Sequence, residues 1–249
     1  MSSPTSGAGP TPLQSVFDAL NGCVDGGTLR VPDDFLGSVA IKLCWDTFFA
    51  GKSLDVAGVN ITLNAGDVTV TGTGQGLFDQ LTVTAKFTAV AGDLGVEITG
   101  AAAAGWSLTN AFPALASTFF ASIPVDAGGT LTLKNGAAGG GSASGSLAFA
   151  GSLNVAQFSA DLASITGNSI AFTGTIAVAG GAPTFDLKTA DDATWTLPIG
   201  SGLTVSNALV ELGYDGTPSA TFSGTLVLDD STSLAFEWTL PAALHIVGN

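Results

Sequence analysis

Residues 152–178, SLNVAQFSADLASITGNSIAFTGTIAV, and residues 202–228, GLTVSNALVELGYDGTPSATFSGTLVL, are one pattern written twice. Displaced by fifty positions with no gap, Leu153 falls on Leu203, Val155 on Val205, Leu162 on Leu212 and Ser169 on Ser219. Phe172 likewise falls on Phe222, Gly174 on Gly224 and Thr175 on Thr225. Self-similarity at a fixed period marks a chain built from copies of one supersecondary unit. A third copy opens and closes the same way at residues 53–73, SLDVAGVNITLNAGDVTVTGT. Each unit runs to a tryptophan followed by a hydroxyl residue and leucine: Trp106-Ser107-Leu108, Trp195-Thr196-Leu197 and Trp238-Thr239-Leu240. The unit therefore reads as strand, turn, a strand carrying Gly-Thr, turn, and a last strand ending at tryptophan.

Period-two alternation fills the chain around these copies. Ile61 and Leu63 share a face, as do Val68 and Val70, then Leu81, Val83, Ala85 and Phe87, then Leu94, Val96 and Ile98. Thr, Asp, Asn, Lys and Glu stand between them, the pattern of strands with one buried and one wet face. Gly, Asp and Asn clusters supply the turns. The helical exceptions are short. Leu13, Val16, Phe17 and Leu20 recur at helical spacing over residues 12–21, with Gly22 as a stop. Residues 110–122, NAFPALASTFFAS, break the alternation, and Asn110 as cap with Pro113 in the first turn predicts a short helix there. Residues 33–50 suit either a helix or a pair of strands. The expected fold is all-β and antiparallel, a sandwich or barrel built from repeats of about fifty residues with one to three short helices; the runner-up is an elongated repeat sheet.

The organisation expected along the chain is a flexible lead-in at 1–10, a β-rich half with short helices at 11–135, and a second half at 136–249. That second half contains the two clean repeats at 152–199 and 202–240, and the two halves also suit one continuous domain. A glycine recurs in the middle strand of each copy, at Gly72, Gly174 and Gly224. Glycine weakens a strand, so its return in register implies a geometric requirement. A β-bulge, a sharp bend or a large neighbour would each impose one, and the sequence favours the unit's own tryptophan lying over the glycine.

Composition narrows the function classes. Only 10% of the 249 residues are charged, against 46% apolar, which excludes a disordered chain. A surface this poor in charge must expose Gly, Ala, Ser and Thr with some apolar area, and large apolar patches mark a partner, a groove or an assembly contact. The net charge of −14 comes with six scattered bases and no basic stripe, so no nucleic-acid partner is expected. The N-terminal stretch MSSPTSGAGPTPLQ lacks a basic region and an apolar core, so the expectation is no signal peptide, and a protein that is cytoplasmic or released by a signal-independent route. No apolar run is long enough for a transmembrane helix. Cys23 and Cys44 are the only thiols, read as two buried thiols with a disulfide as the alternative.

Catalytic and metal chemistry find little material. His245 is the only histidine, close to the C-terminus, and no HExxH, CxxC or GxxxxGK[ST] pattern occurs. The glycine runs at 72–76 and 136–145 precede strands, not the helix a phosphate loop needs. The acidic pairs Asp191-Asp192 and Asp229-Asp230 fall in corresponding loops, where oxygen ligands suit calcium; a polar turn is the simpler reading. Trp106, Trp195 and Trp238 are candidates for a ligand platform, with core packing as the competing role. The expected function is that of a non-catalytic structural or assembly β-repeat protein, with itself or a larger particle as partner and no required cofactor. A carrier of an apolar small molecule or lipid is the first alternative, and a glycan-binding β-sandwich with calcium in the Asp-Asp loops the second.

Overall fold

A computed structural model describes residues 12–31, 53–90, 93–134, 146–179, 182–190, 193–196, 203–228 and 232–240. The chain divides into two compact units, Met1–Gly100 with Leu133–Gly145, and Ala101–Thr132 with Ser146–Asn249. Both are antiparallel sheet with short helices, the class that the alternation predicts. The segments at 1–10, 33–50 and 136–145, and residues Cys44, Trp45 and His245, lie outside the described residues, and Cys23 is a free, half-buried thiol.

In the first unit, helix α1 (Pro12–Gly22) leads into strands β1 (Val24–Asp25), β2 (Thr28–Val31), β3 (Leu54–Leu63), β4 (Asp67–Gly74), β5 (Thr82–Val90) and β6 (Asp93–Ala101). Each strand is hydrogen-bonded to the next in sequence. Val68 and Val70 with Leu81, Val83, Ala85 and Phe87 form one buried face, on which α1 packs through Leu13 and Leu20. The intervening Thr82, Thr84 and Lys86 are exposed, so the period of two is realised as drawn. Leu63 departs from it: it shares the face of Val68 but sits at the strand end and is 37% exposed.

Strand β7 (Thr130–Lys134) falls on the boundary between the units. The second unit holds helix α2 (Leu108–Ala111), helix α3 (Ala160–Thr166) and strands β8 (Ser146–Asn154), β9 (Ser169–Ala179), β10 (Ala182–Lys188), β11 (Ala193–Thr196), β12 (Thr204–Tyr214), β13 (Pro218–Val227) and β14 (Ser233–Thr239). These run β8-β9-β10-β12-β13-β14, all antiparallel, while β11 takes the part of β12 that β10 leaves open. One face carries Leu147, Phe149, Phe172, Ile176, Phe185, Leu187, Val210, Leu212 and Phe222 and is buried. Helical turns supply part of its cover, with Phe120 edge-on to Phe185 at 4.9 Å and Phe119 beside Phe158 at 4.7 Å.

The helix expected around 110–122 is broken into three pieces: α2, then 3₁₀ turns at Pro113–Leu115 and Phe119–Ser122. Its cap is Ser107, not Asn110. The Ser107 hydroxyl accepts from the Thr109 N–H at 3.3 Å, and the Asn110 side chain accepts from the Ser107 N–H at 3.0 Å. Proline disfavours the α conformation in the residue before it, and Phe112 sits at φ −126°, ψ 84°, so the helix stops there.

The fifty-residue copies do not fold alike throughout. In residues 202–228 the first half is strand β12, which turns at Asp215-Gly216 into β13. In residues 152–178 the same positions leave the sheet: Ser159 caps α3 by accepting from the Leu162 N–H at 3.2 Å, Asp161 sits in its first turn, and Gly167 at φ 85° ends it. Leu162 is therefore helical where its counterpart Leu212 is in a strand. The capping Ser159, Asp161 in the first turn and the alanines Ala160 and Ala163 favour the helix; Val210 and the Asp-Gly turn that follows favour the hairpin.

Candidate functional site

The glycines of the repeat have a structural cause, and it is not the tryptophan. Strand β12 bulges between Ser206 and Leu209, with Asn207 at φ 49°. A Cβ on Gly224 of β13 would stand 2.5 Å from Val205 Cγ1 and 3.2 Å from the Ser206 carbonyl oxygen. Strand β3 bulges likewise between Ala57 and Asn60, with Gly58 at φ 60°, and a Cβ on Gly72 of β4 would meet the Ala57 oxygen and Val56 Cγ1, both at 2.6 Å. The bulge lets Leu54 and Val56, then Ile61, keep to one side although their numbering changes parity, and the glycine opposite makes room for it. Gly174 answers a different neighbour: its Cβ would lie 2.1 Å from the Asp186 carbonyl oxygen on β10. Trp238 stands opposite Phe222, two residues along from Gly224.

The tryptophans divide. Trp106 is buried and bridges to Val125, whose N–H donates to the Trp106 carbonyl at 2.6 Å. Trp195 on β11 and Trp238 on β14 gather around Phe222, with ring centroids at 5.6 and 6.1 Å; Trp195 is half-buried and Trp238 is 8% exposed. This is core-like packing, with Phe236 edge-on to Phe222 at 5.2 Å. The Trp238 indole N–H is buried and has no acceptor among the described residues. The pairs Asp191-Asp192 and Asp229-Asp230, read as polar turns with calcium as the alternative, lie outside the described residues. Among the described residues no group of three or more His, Cys, Asp or Glu side chains is placed to hold a metal.

On the opposite, polar face a shallow groove of about 480 Å³ is lined by Thr173, Thr175, Asp186, Lys188, Thr189 and Ala190 beside Gly174. Lys188 is already engaged there, with Asp186 at 3.1 Å and Glu211 at 2.6 Å, and these two carboxylates hold its ammonium form well above the ordinary range.

The apolar face is left open at the β13–β14 hairpin. Leu226 is buried, but Leu228 and Leu234 are 48% and 51% exposed. Leu226 pairs with Leu234, so Leu228, two residues on, shares their face. Among the described residues β14 pairs with β13 alone. The Leu240 N–H donates to the Ala220 carbonyl at 2.9 Å, and antiparallel ladders alternate. The even-numbered residues of β14 therefore direct their backbone groups to β13. Ser233, Ala235, Glu237 and Thr239 present theirs on the outer edge. Edges are ordinarily blunted with lysine, proline or inward-pointing charge; β14, SLAFEWT, carries only Glu237, on the polar side. Sequence reading passed over Leu228 and Leu234, though the alternation Leu234, Phe236, Trp238 in the last strand was the available signal.

No protein-family model, curated protein or solved structure matches the chain. No helix among the described residues is long and apolar enough to cross a membrane.

Proposed function

We propose that the chain is a non-catalytic assembly protein that joins to copies of itself, or to a larger particle, through the outer edge of β14 and the apolar end of its sheet. The observation that carries this reading is the coincidence on one hairpin of an edge strand paired, among the described residues, on one side only with the exposed leucines Leu228 and Leu234. Backbone donors and acceptors along an edge give affinity to an added strand, and alternate side chains give it register. Covering two half-exposed leucines adds apolar burial, worth about 25 cal/mol per Å² removed from water. The strand itself supports the same reading, since Glu237 is its one charged residue and few charged groups lose water when this edge is covered.

Light scattering after size exclusion, over a concentration series, tests it. The native chain is expected to rise above monomer mass with concentration, and Leu234→Lys, which plants a charge on the apolar face of the edge, is expected to remain monomeric with an unchanged melting temperature. A native chain that is strictly monomeric at high concentration overturns the self-association.

A further inference from the structure

Strand β14 is complementary to itself. Laid antiparallel against a second β14 with Phe236 opposite Phe236, all seven residues pair: Ser233 with Thr239, Leu234 with Trp238, and Ala235 with Glu237, each twice. Faces match throughout, because the register keeps odd residues opposite odd and even opposite even. The odd residues, whose backbone groups are turned to the outer edge, exchange the hydrogen bonds, and Phe236 sits in the non-hydrogen-bonded pair, where side chains approach most closely. On the apolar side each exposed Leu234 is laid against the other copy's Trp238, and two half-buried Phe236 rings meet on the axis. On the polar side Glu237 faces Ala235, so no like charges stand directly opposite. Neighbouring registers are worse. Centring on Glu237 sets two carboxylates face to face, and centring on Ala235 leaves Trp238 and Thr239 without strand partners.

We infer that the occupant of the β14 edge is a second copy of this chain, added by strand pairing about a twofold axis through Phe236. The arrangement is closed and isologous, the commonest form of homodimer. It rests on the assembly reading above and specifies its partner and register.

Cysteine pairs at exposed positions read the register without touching the core. Ser233 and Thr239 are both exposed on the polar side, and in this register each faces the other across the axis with Cα atoms about 5.5 Å apart, inside disulfide range. Within one chain they are separated by six residues of extended strand, roughly 20 Å, so no intrachain bridge competes. The double variant Ser233→Cys/Thr239→Cys is expected to form covalent dimers under mild oxidation at least about tenfold faster than either single variant, because a pair held within reach reacts as an intramolecular one. Either single variant places its own cysteines at opposite ends of the paired strands; with the native chain it controls for bridging through Cys23 and Cys44. Single variants that cross-link as fast as the double overturn the register. Absence of cross-linking in a double variant that light scattering shows to be dimeric overturns strand pairing and leaves the assembly reading standing. A native chain that is monomeric throughout overturns both.

Discussion

Gly72, Gly174 and Gly224 occupy equivalent places in the sequence pattern, yet the atoms crowding them differ in kind. For Gly174 and Gly72 the obstruction includes a carbonyl oxygen, at 2.1 and 2.6 Å from a built Cβ; for Gly224 the nearest atom is a valine methyl at 2.5 Å, with backbone no closer than 3.2 Å. A side chain can turn aside at the cost of an off-rotamer angle, whereas a strand backbone moves only with its ladder. Substitution by alanine is therefore expected to destabilise by about 1–3 kcal/mol at each position, most at Gly174, then Gly72, and least at Gly224. Gly66, which has no atom within 4 Å of a built Cβ, serves as the control and is expected to change little on substitution by alanine. Urea denaturation of the four variants gives the order directly. A Gly224→Ala loss as large as that of Gly174→Ala would mean that the bulge in β12 is as rigid as a regular strand.

The turn joining β3 to β4 is built around one carboxylate. Asp67 accepts from Asn64 Nδ2 at 2.7 Å and Thr69 Oγ1 at 2.8 Å, and Lys86 Nζ lies 3.3 Å from its second oxygen. The Asn64 and Thr69 hydrogen bonds, in that order, outweigh desolvation and, with Lys86, hold the Asp67 carboxyl below the usual carboxylate range. Because the folded value lies below the unfolded one of ~3.9, the stabilisation is complete above the unfolded value and is lost as pH falls through the folded one. Asp67→Asn is expected to be less stable than the native chain at pH 5, with the gap closing toward pH 3. A gap that stays constant over that range would assign the loss to packing instead of charge. This turn, like most strands, was legible: Asn, Gly and Asp between alternating apolar residues specify a hairpin, and Leu81 to Phe87 take the faces their spacing assigns. The bulges were not legible, because Gly58 and Asn207 read as ordinary turn-formers and only the partner strand shows which way the extra residue is absorbed. The divergence of the two copies was hidden for a related reason. Leu162 and Leu212 are the same residue in the pattern, and the choice between helix and strand was made by Ser159 and Asp161 in one copy and by the Asp215-Gly216 hairpin turn in the other. The candidate edge was readable only in part, since the exposure of Leu228 and Leu234 depends on where the helical cover of the sheet stops.

At the scale of the whole molecule, charge opposes the association that the β14 edge favours. Each copy carries a net −14, and two such copies repel at every separation inside the Debye length, about 30 Å at 0.01 M salt but only about 10 Å at 0.1 M. The contact itself contributes no compensating ion pair, because Glu237 is the only charged residue on the strand and its opposite number is Ala235. The attractive part is apolar burial and backbone hydrogen bonding, neither of which is screened by salt. Raising ionic strength therefore removes repulsion and leaves attraction nearly intact, so the dimer should tighten with salt. Sedimentation equilibrium at 10, 50 and 150 mM sodium chloride is expected to show the dissociation constant falling steadily, the steepest part at the low-salt end. Leu234→Lys lowers the net charge of each copy toward neutrality and so weakens the long-range repulsion, yet it should still dissociate the dimer, because the loss at the contact is local. A dissociation constant that rises with salt would place the attraction in ion pairs away from β14, and the six bases of the chain would then be where to look for them.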